Sequence, residues 1–373
     1  MDKNCPLKRS AMNMFRLMIC WFLCGLALSQ PLFAQKAPDA VSSGSETVYP
    51  AMWTFTDSAG RTVQIPQNVE KIAPSGPMAQ IFLFTLVPDR FVGWSSKPAP
   101  ELLPYLPQKV RNLPVFGQFY GTSSTLNLEA LISAKPDIII DVGERKPSIA
   151  RDMDDVQSRT GIPTVFIEAS SFESYGKTYR DLGRLLKTEA QAEKLAQFSE
   201  SAVAFSKNVQ DKIGKGRPKV RLYYGEEASG LVTIAAGSLH SQTIEFAGLT
   251  NVADLSNKGG SGRNQVSMEQ LLLWDPDIIL FTNGAEASIL QKDSLFRQLR
   301  AVQQGRVYDI PVEPYNWIAR PPSINRLVGI YWLAHLAYPD LVSRQMLESK
   351  VREFYFLFYH TTLSDADLKR LIK

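Results

Sequence analysis

Short apolar runs and helical patterns alternate along most of the chain. The alternation occupies residues 71–73, 78–86, 91–94, 128–134, 137–142, 156–160 and 164–167, and it resumes at 220–224, 277–281 and 306–310. The strand-like runs are nearly continuous in apolar residues, which is typical of parallel strands buried on both faces. We therefore predict an α/β fold with two similar β/α lobes, each built on a central parallel sheet.

A long helical pattern separates the two series. Apolar positions recur at helical spacing from residue 172 to residue 212, and the residues from Gly214 to Pro218 end the pattern. Thr188 followed by Gln191 fits a capping box, which predicts a break near Lys187. We expect one long helix to join the lobes, with a ligand cleft between them.

These patterns set the predicted domain boundaries. An edge hairpin is expected at residues 53–65, around a turn cluster at 57–60. The predicted units are an N-terminal lobe at 53–171, the inter-lobe helix at 172–213, a C-terminal lobe at 214–340 and a helical tail at 341–373 that packs on a lobe.

An internal repeat links the two series. Residues 127–140 (NLEALISAKPDIII) align without gaps to residues 267–280 (SMEQLLLWDPDIIL), with six identities in fourteen positions. In each copy a capping residue, Asn127 or Ser267, precedes a helix that a Lys-Pro or Asp-Pro pair ends. A buried strand is expected to follow at once. The repeat predicts that the two lobes share one fold.

The first 34 residues have the composition of a secretory signal. A basic segment precedes an apolar run that is too short to span a bilayer, and small residues lead to a predicted cleavage site near Ala34. Residues 35–52 are rich in Pro, Ser, Ala and Gly, which predicts a disordered linker. All three cysteines lie within the first 34 residues, and Cys24 lacks the small preceding residue typical of lipoproteins. We expect an exported, periplasmic protein without a lipid anchor.

Charge and composition exclude several functional classes. The net charge is +4, but residues 1–34 carry most of it, so the remainder is close to neutral and gives no reason to expect nucleic acid. A chain with 45% hydrophobic and 21% charged residues is neither disordered nor a multi-span membrane protein. The three histidines are far apart, and no nucleophile, phosphate or metal motif is present. We expect no enzyme activity and no tightly bound cofactor.

Several motifs resemble one family over residues 53–360. They are the opening TDSAGRTV at 56–63, the repeat, Gly237-Ser238 with IEFAGLTNVA at 244–253, and NWIARPPSINRL at 316–327. Together they resemble the class III periplasmic binding proteins, in the branch for iron complexes. The resemblance implies a monomeric receptor for an ABC permease and its ATPase, which meets the membrane only through the permease. It further implies that Glu129 and Glu269, one in each lobe, dock onto permease arginines.

The resemblance also implies a ligand site in the cleft, on loops at the carboxyl ends of strands. Aromatic side chains there could stack on a ligand, and cations could neutralise an anionic complex. The expected lining loops are 74–77, 94–97, 116–120, 143–145, 237–240, 283–284 and 313–317. The expected ligand-binding residues are Trp94, Lys97, Phe119, Tyr120, Arg145, His240, Arg263, Tyr315 and Trp317.

In the related ferric-siderophore receptors, a His and a Tyr can complete the coordination of iron. His240 and Tyr315 occupy comparable loops, so they are the expected metal contacts, through a bound chelate. The chain has few other metal ligands, which favours a chelated metal over a bare ion. The predicted solute is therefore an Fe(III) complex such as a ferric siderophore. Haem, cobalamin or a nickel chelate are alternatives, and a periplasmic enzyme or a sensor adaptor on the same scaffold is an alternative of another class.

Overall fold

The structure is a computed structural model, and it describes residues 51–120, 124–214, 216–256, 262–282 and 284–372. The predicted signal segment and residues 35–50 of the predicted linker lie outside these ranges. The strands are β1 (Met52–Thr56), β2 (Thr62–Pro66), β3 (Ile72–Pro74), β4 (Ile138–Gly143), β5 (Thr164–Glu168), β6 (Arg221–Gly225), β7 (Val232–Ile234), β8 (Thr250–Asn251), β9 (Arg263–Gln265), β10 (Ile278–Phe281) and β11 (Val307–Asp309).

The helices lie between these strands and after the last of them. They are α1 (Pro77–Leu86), α2 (Leu128–Ala134), α3 (Ile149–Thr160), α4 (Tyr175–Leu186), α5 (Glu189–Ile213), α6 (Gln242–Phe246), α7 (Met268–Trp274), α8 (Ala287–Leu290), α9 (Arg300–Gln303), α10 (Arg326–Ala337), α11 (Arg344–Tyr359) and α12 (Asp365–Leu371).

Each lobe is built on a parallel sheet, as predicted. The first sheet has the order β3-β4-β5, and the second has the order β11-β10-β6-β8. A parallel bridge between Ile72 and Phe91 flanks β3 in the first lobe, in the position that β8 takes beside β6. The two lobes therefore share one strand order, and the prediction of a common fold is confirmed.

The repeat forms the same motif twice. Asn127 caps α2 and Ser267 caps α7, each accepting a backbone N–H bond with its side chain. One turn beyond each helix, an aspartate accepts backbone N–H bonds from the neighbouring strand: Asp137 binds the segment before β3, and Asp277 binds the start of β6. Because the carboxylate fixes the register of the strand entry, this short repeat aligns helix and sheet in both lobes.

The edge hairpin also forms where the sequence predicts it. β1 and β2 pair antiparallel, and Asp57 closes the turn by accepting the backbone N–H bonds of Ala59 and Arg61 at 2.9 Å. The turn docks on the first lobe, because the backbone N–H of Ser58 donates to the carbonyl of Phe166 at 2.9 Å. The hairpin therefore extends the first lobe.

The connection between the lobes contains two helices that pack against each other, α4 and α5. Lys187, in the left-handed conformation, ends α4, so the predicted break is confirmed. The predicted capping box does not form. The Thr188 side chain makes no cap bond, and Gln191 Nε2 donates to the carbonyl of Leu357 instead. The single inter-lobe helix is therefore the 25-residue α5, and α4 folds back along it.

The tail binds both lobes, where packing on one lobe was predicted. α11 contacts α1 and α5 as well as α10. Its rings reach the first lobe, where Tyr359 packs 6.3 Å from Phe84 and Phe358 lies 5.8 Å from Tyr179, measured between ring centroids. One hydrophobic cluster consequently includes residues of both sheets and of the tail. This shared core favours a largely preformed cleft.

Among the helices of the described residues, none combines the length and the apolar character that crossing a bilayer requires.

Candidate functional site

A cleft opens at the carboxyl ends of the first-lobe strands. Residues 75–78 follow β3 and residues 144–146 follow β4, so both loops meet at one edge of the sheet. The cavity measures about 320 Å³, at the lower end of the range for small-molecule sites. Its lining residues are Ser75, Gly76, Pro77, Met78, Gln118, Tyr120, Asp141, Val142, Gly143, Glu144, Lys146 and, from the second lobe, Leu239.

A buried carboxylate organises the first-lobe wall of the cleft. Asp141 is only 3% exposed and accepts hydrogen bonds from the hydroxyls of Ser75 and Tyr120, the latter at 2.6 Å. Burial raises the pKa of Asp141, while the two hydroxyls and Lys146 act in the opposite direction. Burial and the adjacent carboxylate also raise the pKa of Tyr120. Two neutral hydroxyl groups thus donate hydrogen bonds to one side chain, that of Asp141.

The amino end of α1 forms part of the same wall. α1 begins at Pro77 after the N-cap residue Gly76, and no side chain caps its free N–H groups. The helix dipole places partial positive charge at this end, where anionic groups are favoured. This feature adds a preference for negative charge at the edge of the cleft.

A second polar cluster lies in the C-terminal lobe, next to Leu239. Glu226 is fully buried directly after β6, and it pairs with Arg263 at 2.8 Å and with Arg320 at 3.4 Å. The hydroxyl of Tyr224 donates to the same carboxylate at 2.8 Å. One buried carboxylate thus contacts two guanidinium groups and one hydroxyl.

His240 is a neutral member of this cluster. Its Nε2 lies 3.0 Å from Nη1 of Arg320, and because arginine can only donate, Nε2 is the acceptor. Burial and then Arg320 lower the pKa of His240 to about 4, although the carbonyl of Ala319 acts in the opposite direction. Nδ1 is buried without a hydrogen bond of normal length and angle. The ring therefore extends the polar network without adding charge.

The depressed pKa of His240 predicts a loss of stability in mild acid. Between pH 6.5 and about 4, the unfolded chain binds a proton at this position that the folded chain does not, so lowering the pH favours unfolding. The free energy of unfolding in urea should fall from pH 7 to pH 5, and the fall should be smaller in His240→Asn. An equal fall in both proteins would contradict the assignment.

Three of the predicted ligand-binding aromatics lie in the core. Trp94, Phe119 and Trp317 are each 0% exposed. The indole N–H of Trp94 donates to the carbonyl of Val110 at 2.9 Å, and that of Trp317 donates to the carbonyl of Glu313 at 3.0 Å. The prediction that these rings line the cleft is wrong, because neighbouring segments cover them completely. Tyr120 is the predicted aromatic that does line it.

The structure does not bring the predicted cationic residues and the predicted metal-binding residues together in one site. Lys97 and Arg145 are exposed, and neither lines the cleft, whereas Arg263 joins the second-lobe cluster. The Tyr315 hydroxyl is buried near Gln80, and burial raises its pKa, which disfavours the phenolate that iron binds.

His240 cannot bind a cation in this arrangement, since Arg320 occupies its acceptor nitrogen. The described residues contain no group of three or more His, Cys, Asp or Glu side chains suited to a metal ion. Contact of His240 and Tyr315 with the metal of a bound chelate stays a prediction, and for His240 it requires Arg320 to leave Nε2.

Several polar residues of the cleft wall and of the second-lobe cluster were not among the predicted site residues. Ser75 lies in a loop that was expected to line the cleft, but Asp141, Glu226 and Arg320 were missed. Asp141 is a charged residue inside an otherwise apolar strand, and Glu226 directly follows β6. An acid at the carboxyl end of a buried strand was the signal that could have identified both.

The two glutamates of the repeat occupy equivalent exposed positions. Glu129 lies in the first turn of α2, and Glu269 lies in the first turn of α7. The backbone N–H of Glu269 and the Ser267 hydroxyl hold the pKa of the Glu269 carboxyl below its usual range. An exposed apolar side chain follows one turn later in each helix, Ile132 at 49% and Leu273 at 79% exposure. Both lobes therefore present a carboxylate beside an apolar group.

Comparison with known proteins identifies similar chains. A profile described as periplasmic binding protein matches residues 86–314, more than half of the chain. The molybdate-binding protein MolA of Haemophilus influenzae is 25% identical over 274 residues, covering 67% of this chain and 74% of MolA. The Fe(3+)-citrate-binding protein YfmC of Bacillus subtilis is 24% identical over 195 residues, covering 51% of this chain and 58% of YfmC.

Solved structures show the same architecture. An ABC transporter solute binding protein from Sulfurospirillum deleyianum superimposes with a TM-score of 0.77 at 29% identity, covering 85% of this chain and 98% of that chain. A periplasmic solute binding protein from Veillonella parvula superimposes with a TM-score of 0.73 at 24% identity, covering 86% of this chain and 97% of that chain. The two-lobed fold is therefore that of known solute-binding proteins.

Proposed function

The chain belongs to the periplasmic binding protein family, and on that premise we propose that it captures an anionic metal complex, with an iron chelate such as a ferric siderophore as its solute. Membership makes it a substrate-binding protein of an ABC transporter, working with a permease and an ATPase. Binding and delivery, without catalysis, is the proposed role. The observation that carries the proposed solute class is the pair of arginines, Arg263 and Arg320, around one buried glutamate, where Arg320 contacts His240, the residue after the cleft residue Leu239.

The charges of the site support an anionic solute. Two guanidinium groups lie at Glu226 in the second lobe, and the open amino end of α1 adds partial positive charge on the other wall. A bare divalent cation would be repelled by the arginines. A metal could enter such a site inside a complex whose outer groups are negative, such as a carboxylate or hydroxamate chelate.

The size and lining of the cleft support a compact solute over haem or cobalamin. The cavity of about 320 Å³ is small for a macrocycle. Trp94, Phe119 and Trp317, which would have stacked on a flat ring, are fully buried. Tyr120 alone among the predicted aromatics offers a face or a hydroxyl at the cleft, which favours polar contacts over stacking.

A molybdate-like oxyanion is the second candidate. The relative MolA is named for molybdate, and YfmC is named for ferric citrate. A small oxyanion would also fit the two guanidinium groups of the second-lobe cluster. The first-lobe wall of the cleft can distinguish the two candidates by their hydrogen-bond donors. A chelate can carry such donors, whereas molybdate at neutral pH carries none.

Family members act outside the cytoplasm, and we propose the same place for this chain. Export would remove residues 1–34 near Ala34, and the remaining chain would act as a free monomer that reaches the membrane only through the permease. Mass spectrometry of the secreted protein would test this: a new amino terminus near Gln35 is expected, and lipid on Cys24 would contradict it.

We propose that Glu129 and Glu269 are the docking residues for the permease. The equivalent exposed positions of the two carboxylates, each one helical turn from an exposed apolar residue, support this role. A partner with two arginines, each bordered by an apolar surface, would match them. An acidic residue in a first helical turn also stabilises its helix, by about 0.3–1 kcal/mol, and that contribution is independent of docking.

Arg320→Gln should weaken binding of ferric citrate by at least about tenfold. The change removes one of the two guanidinium groups at Glu226. A lost charge-assisted hydrogen bond costs about 1.5–3 kcal/mol, where about 1.4 kcal/mol is tenfold in affinity. Isothermal titration calorimetry with ferric citrate, a ferric hydroxamate, haem, cobalamin, Ni²⁺ and molybdate would measure this. Arg297→Gln, an exposed arginine elsewhere in the same lobe, is the matched control and should leave affinity unchanged. Tight binding of Ni²⁺ alone would contradict the proposed solute class.

A further inference from the structure

The first-lobe wall holds its hydroxyl hydrogens away from the cleft. Ser75 and Tyr120 both donate to Asp141, on different oxygens of one carboxylate. In both hydrogen bonds the hydroxyl is the donor and the carboxylate is the acceptor, so each hydroxyl has its single hydrogen committed to Asp141. All three residues line the cleft. The groups that the two hydroxyls have left for a solute are therefore oxygen lone pairs.

The charges on this wall reinforce the effect. Among the described residues that line this wall, Asp141 and Glu144 are acidic and Lys146 is the one basic side chain. The charged side chains beside Ser75 and Tyr120 are therefore net negative, whereas the partial positive charge of α1 lies at its amino end. Such a cleft suits a solute with two different faces, one anionic and one able to donate hydrogen bonds.

We infer that Asp141, through Ser75 and Tyr120, makes the cleft selective for a metal complex that carries a hydrogen-bond donor, and that it rejects fully deprotonated oxyanions. The donor would be a metal-bound water, or a hydroxyl or N–H of the chelator, facing the first lobe. An oxyanion placed against Ser75 and Tyr120 would meet their lone pairs and the buried carboxylate, so the hydrogen bonds that it makes to water on that side would be lost without replacement. The inference rests on the proposed function, because it narrows the class of solute for the same cleft.

The unaltered protein provides the first test. Molybdate and hydrogen arsenate are tetrahedral dianions of similar size at pH 8, but hydrogen arsenate carries one O–H and molybdate carries none. Competition by each anion against bound ferric citrate should show hydrogen arsenate to be stronger by at least about tenfold, the value of one hydrogen bond to a charged group. Equal competition, or stronger competition by molybdate, would overturn the inference.

Asp141→Asn provides the second test. The amide removes the negative charge, and its NH2 group donates to one of the two hydroxyl oxygens, which frees that hydroxyl to donate into the cleft. Molybdate affinity, measured directly by calorimetry, should rise at least about tenfold over the unaltered protein. Thermal unfolding of the variant would establish that it is folded, and a folded variant without this gain would overturn the inference.

Tyr120→Phe is the matched control for the alternative that any substitution in the first-lobe wall raises molybdate affinity by creating space. It removes one hydroxyl but keeps the Asp141 charge, so molybdate affinity should not rise. A rise equal to that of Asp141→Asn would mean that space, not charge and hydrogen direction, decides selectivity, and it would overturn the inference.

Ferric citrate separates this inference from the proposed function. If the unaltered protein binds neither ferric citrate nor a ferric hydroxamate, the proposed chelate is wrong, while direct titrations of the two anions into the unaltered protein and Asp141→Asn still decide the role of Asp141. If it binds the chelate and Asp141→Asn fails to gain molybdate, the proposed function stands and the inference falls.

Discussion

Uptake of the solute should fall at least about tenfold when Glu129 and Glu269 are both replaced by alanine, while the affinity of the isolated protein for the solute stays unchanged. Both carboxylates are exposed and lie in equivalent first helical turns of the two lobes. Truncating one partner of a charge pair that becomes desolvated in an interface costs about 2–5 kcal/mol. Transport of a labelled ferric complex into vesicles that contain the permease and ATPase would measure the effect.

The control for docking is a third glutamate with the same local environment. Glu189 is exposed in the first turn of α5, so Glu189→Ala removes the same helix-dipole interaction from a different surface. It should leave uptake unchanged, and each single change at Glu129 or Glu269 should have an intermediate effect. Normal uptake by the double variant would leave the docking proposal without its mechanism.

Gly329→Ala should destabilise the folded protein by about 3 kcal/mol or more. Gly329 lies within the buried helix α10, and a Cβ atom there would be 1.9 Å from the backbone carbonyl oxygen of Trp317. Backbone cannot rotate away as a side chain can, so the segment that carries Trp317 and Arg320 would have to move. The free energy of unfolding in urea would measure the loss.

Gly214→Ala is the matched control for this change. Gly214 follows α5 with a helical backbone, and the nearest atom to its added Cβ would be 3.4 Å away. Alanine fits there and restricts the unfolded chain, so stability should change by less than about 1 kcal/mol. Equal losses at both positions would contradict the close approach at Gly329.

Local signals in the sequence predicted most of the fold. The helix caps and the proline stops act within one helical turn, and both copies of the repeat form as expected. The break at Lys187 was similarly local. The capping box at Thr188 failed because Gln191 found a partner in the distant tail, which a local pattern cannot reveal.

The site was harder to predict because its contacts join distant parts of the chain. Trp94 follows a strand-like run, as a cleft residue would, but the carbonyl of Val110 and the ring of Phe91 enclose it. Glu226 acquires its role only when Arg320 reaches it from a separate loop. A sequence shows which residues end a strand. It does not show which later segment will cover them.

The aromatic side of α11 has a consequence for how the protein is made. Rings from this helix complete the packing around Phe84 and Tyr179, which belong to segments made long before it. A nascent chain that has not yet reached residue 344 must leave those surfaces open to water. Final consolidation therefore depends on contacts between the ends of a long chain, which are slow to form and are preceded by species that chaperones recognise. The packing around Phe84 and Tyr179 is therefore complete only after the last helices have been made.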